Sequence, residues 1–367
     1  MKVALTYNLK KDSTPVQDSP APPDFYAECD DQETVDAIRA ALAEFHTVVL
    51  IEADEDAYER FRSERPDLVF NVAEGTWGAA REAQIPAMLE MLRIPYTGSD
   101  PVTLALCLDK ARTKEVLQAR GIATPQFRVA ETADQVAGLV AGRGALPAPG
   151  APLLRFPLVV KPLSEGSSKG IVDTALVRDA DGLAREVGRV LALYREPAIV
   201  EEYLPGREFT VAMLGNGDTL QVLPVVEIRF DSLPSGVNPI YSYEAKWVWD
   251  TAEKPLEIFD CPARIDRELA LEIETLCRRT WDALRIRDWA RIDVRCDAQG
   301  RPHVLEVNPL PGILPQAEQN SCFPKAARAA GLSYNVLVRR VLDSAIARCG
   351  LRAGSGAIAP PAHFSLR

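Results

Sequence analysis

The chain has 367 residues, 47% apolar and 26% charged, an ordinary globular composition long enough for two or three domains. Its 52 acidic and 42 basic residues give a net charge of −10 with no long basic block, which argues against a nucleic-acid partner but leaves room for a phosphate ligand served by a few local lysines. No apolar run approaches the ~20 residues that span a bilayer. The N-terminus lacks a signal peptide's apolar core and cleavage site, and the seven Cys and three His are scattered, so a reduced, cytoplasmic protein without a zinc centre or His-based triad is expected.

In chain order, short apolar runs at 3–7, 47–51 and 68–72 alternate with helical patterns at 32–44 and 83–92. This βαβα order implies a parallel sheet with helices on its faces. A long acidic loop with four Pro, residues 10–31, separates the first strand from the first helix. Loops of that length in compact domains are usually functional or disordered. Residues 104–120 read as one helix closed by Gly121. Residues 141–152, rich in Ala, Gly and Pro, read as a surface loop.

Residues 156–161 read as a strand and 162–170 as a Gly/Ser-rich turn. Strands at 198–203 and 208–214 flank Pro205-Gly206, and 222–230 is a further strand. A helix at 265–281 precedes a hairpin of 290–296 and 303–307, and a terminal helix covers 334–347. Residues 352–367 have the composition of a disordered tail.

The hairpin places Asp293 on one strand opposite Glu306 and Asn308 on the other, and period-two alternation puts Glu306 and Asn308 on one face. Two carboxylates and an amide among Val294, Val304, Leu305 and Val307 form a hard oxygen set suited to Mg²⁺, because a carboxylate in an apolar strand is costly unless paired or metal-bound. In the turn after Lys161, Glu165, Gly166, Ser167 and Ser168 are small or flexible enough to turn N–H and hydroxyl groups toward phosphate. Lys110, Lys246 and the Glu201-Glu202-Tyr203-Leu204 segment are each ambiguous alone; the last has groups for an adenine edge and a ribose.

Their order makes them specific. The segments Ile94-Pro-Tyr-Thr-Gly-Ser99, Leu108-Asp-Lys110, Phe156-Pro-Leu-Val-Val-Lys161, Glu165-Gly-Ser-Ser168, Glu202-Tyr-Leu-Pro-Gly-Arg-Glu208, Tyr243-Glu-Ala-Lys246, Arg291-Ile-Asp293 and Glu306-Val-Asn308-Pro-Leu-Pro-Gly312 resemble the D-alanine–D-alanine ligase family of the ATP-grasp superfamily. The resemblance covers roughly residues 68–342. It implies an α/β ATP-grasp architecture: an N-terminal Rossmann-like parallel-sheet domain (1–98), a central lid (99–204) and a C-terminal α+β domain (205–351).

By position, the resemblance implies that Lys110, Lys161 and Lys246 meet ATP phosphates under the 165–170 turn. Glu201, Glu202, Tyr203 and Leu204 lie at adenine and Glu208 at ribose. Asp293, Glu306 and Asn308 hold one or two Mg²⁺, with Mn²⁺ able to substitute. Arg291 and the Gly312 N–H stabilise a tetrahedral intermediate, Ser167 matches a catalytic Ser that the family hydrogen-bonds to a Tyr at the position of Trp247, and Ser321 meets the second substrate's carboxylate. The implied reaction joins two small amino acids through an acyl-phosphate, in a homodimer.

The first-substrate end departs from the family. Its Gly-rich turn and amino-binding Glu give way to the 10–31 loop, a His-Gly pair to Glu74-Gly75, and a Tyr to Trp247, which donates a hydrogen bond but cannot accept one. Glu28, Asp30, Asp31 and Glu74 are the candidates for the lost carboxylate. A divergent D-alanine ligase, a sister ligase with other amino acids, and a nucleotide-binding protein without catalysis are the readings this leaves.

Overall fold

The computed structural model describes residues 1–11, 22–140, 153–249, 256–319 and 321–351; the loop expected at 141–152 and the tail at 352–367 lie outside them. Strand β1 (Lys2–Tyr7) is central in a three-stranded parallel sheet, between β2 (Thr47–Glu52) and β3 (Leu68–Asn71). Helices α1 (Gln32–Ala43), α2 (Ala57–Glu64) and α3 (Gln84–Leu92) connect and follow these strands, as the alternation predicts. Asp31 starts α1 by accepting the Thr34 N–H at 2.8 Å.

The expected helix at 104–120 is instead two: α4 (Pro101–Leu108) and α5 (Lys110–Ala119). Asp109 takes an extended conformation and caps α5 through the Arg112 N–H at 2.9 Å. An Asp inside an apolar periodicity is a helix start as well as a helix residue, and here the start wins. The break turns the Lys110 N–H to the Leu163 carbonyl, 3.2 Å away.

A four-stranded antiparallel sheet follows, in the order β4 (Phe127–Ala130), β7 (Ala198–Glu202), β5 (Leu158–Pro162), β6 (Leu176–Val177). Helix α6 (Ala180–Tyr194) covers it with Leu183, Val187 and Val190, which pack on Leu158, Val160 and Val200. The second antiparallel sheet runs β11 (Phe259–Asp260), β10 (Val226–Ile228), β8 (Glu208–Leu214), β12 (Trp289–Cys296), β13 (Pro302–Asn308), with β9 (Gln221–Val222) on β8. The strand expected over 222–230 is thus broken; Pro224, which has no N–H to give a ladder, lies in the gap. Pro205-Gly206 links the two sheets rather than turning a hairpin, since β7 and β8 belong to different ones.

Helix α7 (Tyr243–Trp247) is a single short turn capped by Ser242, and α8 (Arg267–Leu284) packs Ile273, Cys277 and Trp281 on β8, β12 and β13. Helix α9 (Cys322–Ala329) lies against β8 and β10, and α10 (Tyr334–Arg348) against α1 and α9. One core runs from Val3 and Leu5 through Ile38 and Leu42 to Trp289, Phe323 and Val341, so the parallel sheet and the C-terminal helices share their interior.

Asp288 fastens that junction. Fully buried, it accepts the Gly98 N–H at 2.8 Å, the Asn216 side-chain amide at 2.7 Å and two Arg348 N–H groups at 3.0 and 2.8 Å. Asp288→Ala strands Arg348 and should lower unfolding free energy by about 3 kcal/mol, read from denaturant midpoints. A loss below about 1 kcal/mol contradicts this role.

Candidate active site

A cavity of about 490 Å³ lies between the two antiparallel sheets. Its walls include β5 and β7 on one side, β12 and β13 on the other, and the 22–31 segment with Glu74 and Glu82 at one end. All the residues singled out in the sequence, Lys110, Lys161, Glu165, Gly166, Ser167, Ser168, Glu201, Glu202, Tyr203, Leu204, Glu208, Lys246, Trp247, Arg291, Asp293, Glu306, Asn308, Gly312, Ser321 and Glu74, line it.

Cations and carboxylates here are paired across elements. Glu201 accepts from Lys161 at 2.7 Å and is ion-paired with Lys114 at 3.0 Å, with all three side chains nearly excluded from solvent. Burial alone would raise the Glu201 pKa; the two ammonium groups overturn that and pull it to about 2. Lys114 also donates to Thr124 at 3.0 Å and to the Leu305 carbonyl at 2.9 Å, tying β7 to β13. The expected adenine contact of Glu201 therefore rests on a carboxylate already shared between two lysines.

At the metal-type hairpin, Asp293 faces Glu306 in register and Arg291 faces Asn308. A bulge after Asp293 shifts the pairing so that Val294 meets Val304, leaving Leu305 unpaired. Arg291 grips Asp293 with Nε and Nη2 at 3.0 Å each, and the Asn308 amide donates to Asp293 at 3.1 Å. Lys110 pairs with Glu306 at 3.1 Å and donates to the Glu165 carbonyl. Two carboxylates side by side at the cavity wall, with an amide beside them, fit a hard divalent cation. Among the described residues no group of three His, Cys, Asp or Glu forms an alternative centre.

Glu208 pairs with Arg295 at 2.7 Å, opposite it in register, and Arg295 also donates to the Tyr203 hydroxyl at 2.7 Å while stacking on that ring. Burial raises the Glu208 pKa. Trp247 donates its indole N–H to the Ser167 carbonyl at 3.1 Å, and Ser168 donates to the Tyr241 carbonyl at 3.1 Å, so the 240–249 segment lies on the phosphate-type turn. Ser321 spans its own loop, donating to Gly312 O at 3.1 Å and accepting Leu314 N–H at 3.3 Å.

The four acidic candidates separate. Asp31 caps α1, and Glu28 is consumed by Arg81 at 2.9 Å and Lys169 at 3.1 Å. Asp30 and Glu74 line the cavity, and among the described residues neither side chain has a hydrogen-bond or ion-pair partner. Burial and neighbouring acids push Asp30 to about 7 and raise Glu74. Lys114, Arg295 and Arg81 were not singled out as parts of the constellation. Only Lys114 and Arg295 had a signal: an i,i+4 step from Lys110, and strand alternation with Arg291 and Asp293.

The sequence profile described as D-ala D-ala ligase C-terminus matches residues 116–343. This chain belongs to the D-alanine–D-alanine ligase family. It is 36% identical over 323 residues to protein y4sG of Sinorhizobium fredii, covering 84% of this chain and 86% of that one, a relative whose name carries no activity. It is 33% identical over 325 residues to the D-alanine–D-alanine ligase of Pelotomaculum thermopropionicum, covering 87% and 93%. The fold matches the crystal structure of the Bacillus anthracis D-alanine–D-alanine ligase complexed with ATP, with TM-score 0.66, 22% identity and coverage of 95% and 98%. Family membership and fold thus agree with the expected ATP-grasp architecture.

Burial, then the Arg291 charge, pushes Lys246 down to about 8. If Lys246 must be charged to meet phosphate, kcat/KM for ATP falls as pH rises through about 8, and Lys246→Arg removes that limb. A profile flat to about pH 9.5 in the unmodified chain contradicts this.

Proposed function

We propose that the chain is an ATP-dependent carboxylate–amine ligase of the D-alanine–D-alanine type. It phosphorylates one amino acid's carboxylate and condenses the acyl-phosphate with the amino group of a second. The observation that carries this reading is the convergence of Lys110, Lys161 and Lys246 with Asp293, Glu306, Asn308 and Arg291 on one cavity. The division into 1–98, 99–204 and 205–351 is proposed with it, ATP lying between the two antiparallel sheets.

In this reading the adenine meets the backbone of Tyr203 and Leu204, and the ribose meets Glu208, whose orientation Arg295 sets. The phosphates lie under the 165–170 turn against Lys110, Lys161 and Lys246, which offset their charge. Asp293, Glu306 and Asn308 would hold Mg²⁺, which when bound supplies further charge neutralisation at the transferring phosphoryl group. Arg291 keeps Nη1 free of any partner among the described residues while its other nitrogens hold Asp293. That nitrogen and the Gly312 N–H are the donors for the oxyanion formed when the amine attacks. No side chain acts as a nucleophile, in keeping with the half-buried Cys322, whose thiol desolvation raises to about 12.

Glu74 and Asp30 take the first substrate's ammonium group, which supplies the counter-charge they lack. Ser321 and its loop bound the second substrate's carboxylate.

With Mg·ATP and D-alanine the chain should release ADP and phosphate in step with dipeptide. No stimulation of phosphate release by D-alanine or by any of a panel of D- and L-amino acids would remove the ligase reading. Glu74→Gln should raise KM for the first amino acid about tenfold and leave KM for ATP within about twofold; equal effects on both would remove the assignment of Glu74.

A further inference from the structure

The segment 22–31 does more than fill the place of a family turn. At its far end it is anchored to the parallel sheet: the Lys10 N–H donates to Asp30 O at 2.8 Å, the Asp30 N–H donates to Asn8 O at 2.9 Å, and Asp31 begins α1. From that anchorage it sends two carboxylates onto the 165–170 turn. Glu28 accepts the Gly166 N–H at 2.7 Å and pairs with Lys169 at 3.1 Å and with Arg81 at 2.9 Å. Asp24 accepts the Gly170 N–H at 2.9 Å and the Tyr194 hydroxyl at 2.6 Å. The Glu28 side chain is 4% exposed and Asp24 is equally buried, so these are desolvated contacts.

Between the two held N–H groups lie Ser167 and Ser168, with φ of 50° and 60°. Two successive non-glycine residues in the left-handed region are strained and persist only where their surroundings impose them. Among the described residues neither Ser167 nor Ser168 has an acceptor for its backbone N–H. The strap thus takes the outer donors of the turn and leaves the inner two for an anion.

We propose that Glu28 and Asp24 are positioning residues for ATP, a carboxylate strap that sets the 165–170 turn in its phosphate-binding conformation. It rests on the ligase reading and adds to it the means by which this chain orders the turn where Trp247 cannot accept a hydrogen bond. Arg81 and Lys169 hold Glu28 against the turn, and Arg81 further donates to the Ser164 carbonyl at 2.8 Å at its base. Gly166 needs its missing side chain for this contact, since a Cβ there would collide with the Glu28 carboxylate.

The test is isothermal titration of the full chain with Mg·ATP and, separately, with AMP, which lacks the phosphates the turn would cover. Glu28→Gln should weaken Mg·ATP about tenfold and leave AMP within about twofold. Asp24→Asn, which keeps an acceptor for Gly170, should stay within about twofold, while Asp24→Ala should weaken Mg·ATP at least about threefold. Equal weakening of Mg·ATP and AMP would reduce the strap to a general structural element and overturn the proposal. Unchanged or tighter Mg·ATP binding by Glu28→Gln would also overturn it. Should Glu28→Gln not fold, Gly166→Ala probes the same contact: its loss of Mg·ATP affinity should be partly recovered by adding Glu28→Asp, and no recovery would overturn the proposal. If the unmodified chain bound AMP and not Mg·ATP, the ligase reading itself would fall, and the strap proposal with it.

Discussion

The site depends on one buried carboxylate, Glu201, held between Lys161 and Lys114. The three charged residues come from three elements, Lys161 from β5, Glu201 from β7 and Lys114 from α5. An isolated charge at that depth is strongly disfavoured, and removing one member of a buried pair commonly costs about 3–5 kcal/mol. The triad therefore helps to fix how the four-stranded sheet of β5 and β7 approaches the sheet of β12 and β13, because Lys114 reaches on to the Leu305 carbonyl beside Glu306. A single salt-bridged residue links the strand that would face adenine to the strand that would hold the metal.

The same device recurs around the cavity. Lys110 with Glu306, Arg291 with Asp293, Arg295 with Glu208, and Lys169 with Glu28 each neutralise a cation before any substrate arrives. Such pairs lock rotamers and keep donors aimed, which is the preorganisation that phosphoryl transfer requires. Asp30 and Glu74, whose carboxylates have no partner among the described residues, stand apart from this pattern. They mark the end where the chain departs from its family, and their missing counter-charge is the reason to seat an ammonium group there.

Much of this was legible in the sequence. The parallel sheet follows from the βαβα alternation of residues 3–92, and the hairpin that joins Asp293 to Glu306 follows from strand periodicity around Asp297–Arg301. The break at Asp109 was not seen, because capping and helical roles of Asp compete and only the fold decides between them. Lys114 reads as an ordinary helical lysine until its partner, on a strand 87 positions later, is placed beside it. The contacts of Glu28 with Gly166 and Lys169 bridge 138 and 141 residues, and no local spacing announces them. The facing of Asp293 and Glu306 across the hairpin was expected, yet the bulge after Asp293 could not be read from alternation.

In the proposed ligase reaction the γ-phosphoryl group is the one that moves, since Asp293, Glu306, Asn308, Lys110 and Arg291 line one cavity. Oxygen tracing tests this directly. The amino acid to be activated is labelled with ¹⁸O in its carboxylate and turned over with Mg·ATP. The acyl-phosphate route predicts one labelled oxygen per turnover in inorganic phosphate and none in AMP. Label appearing in AMP, or retained entirely in the dipeptide, would contradict it.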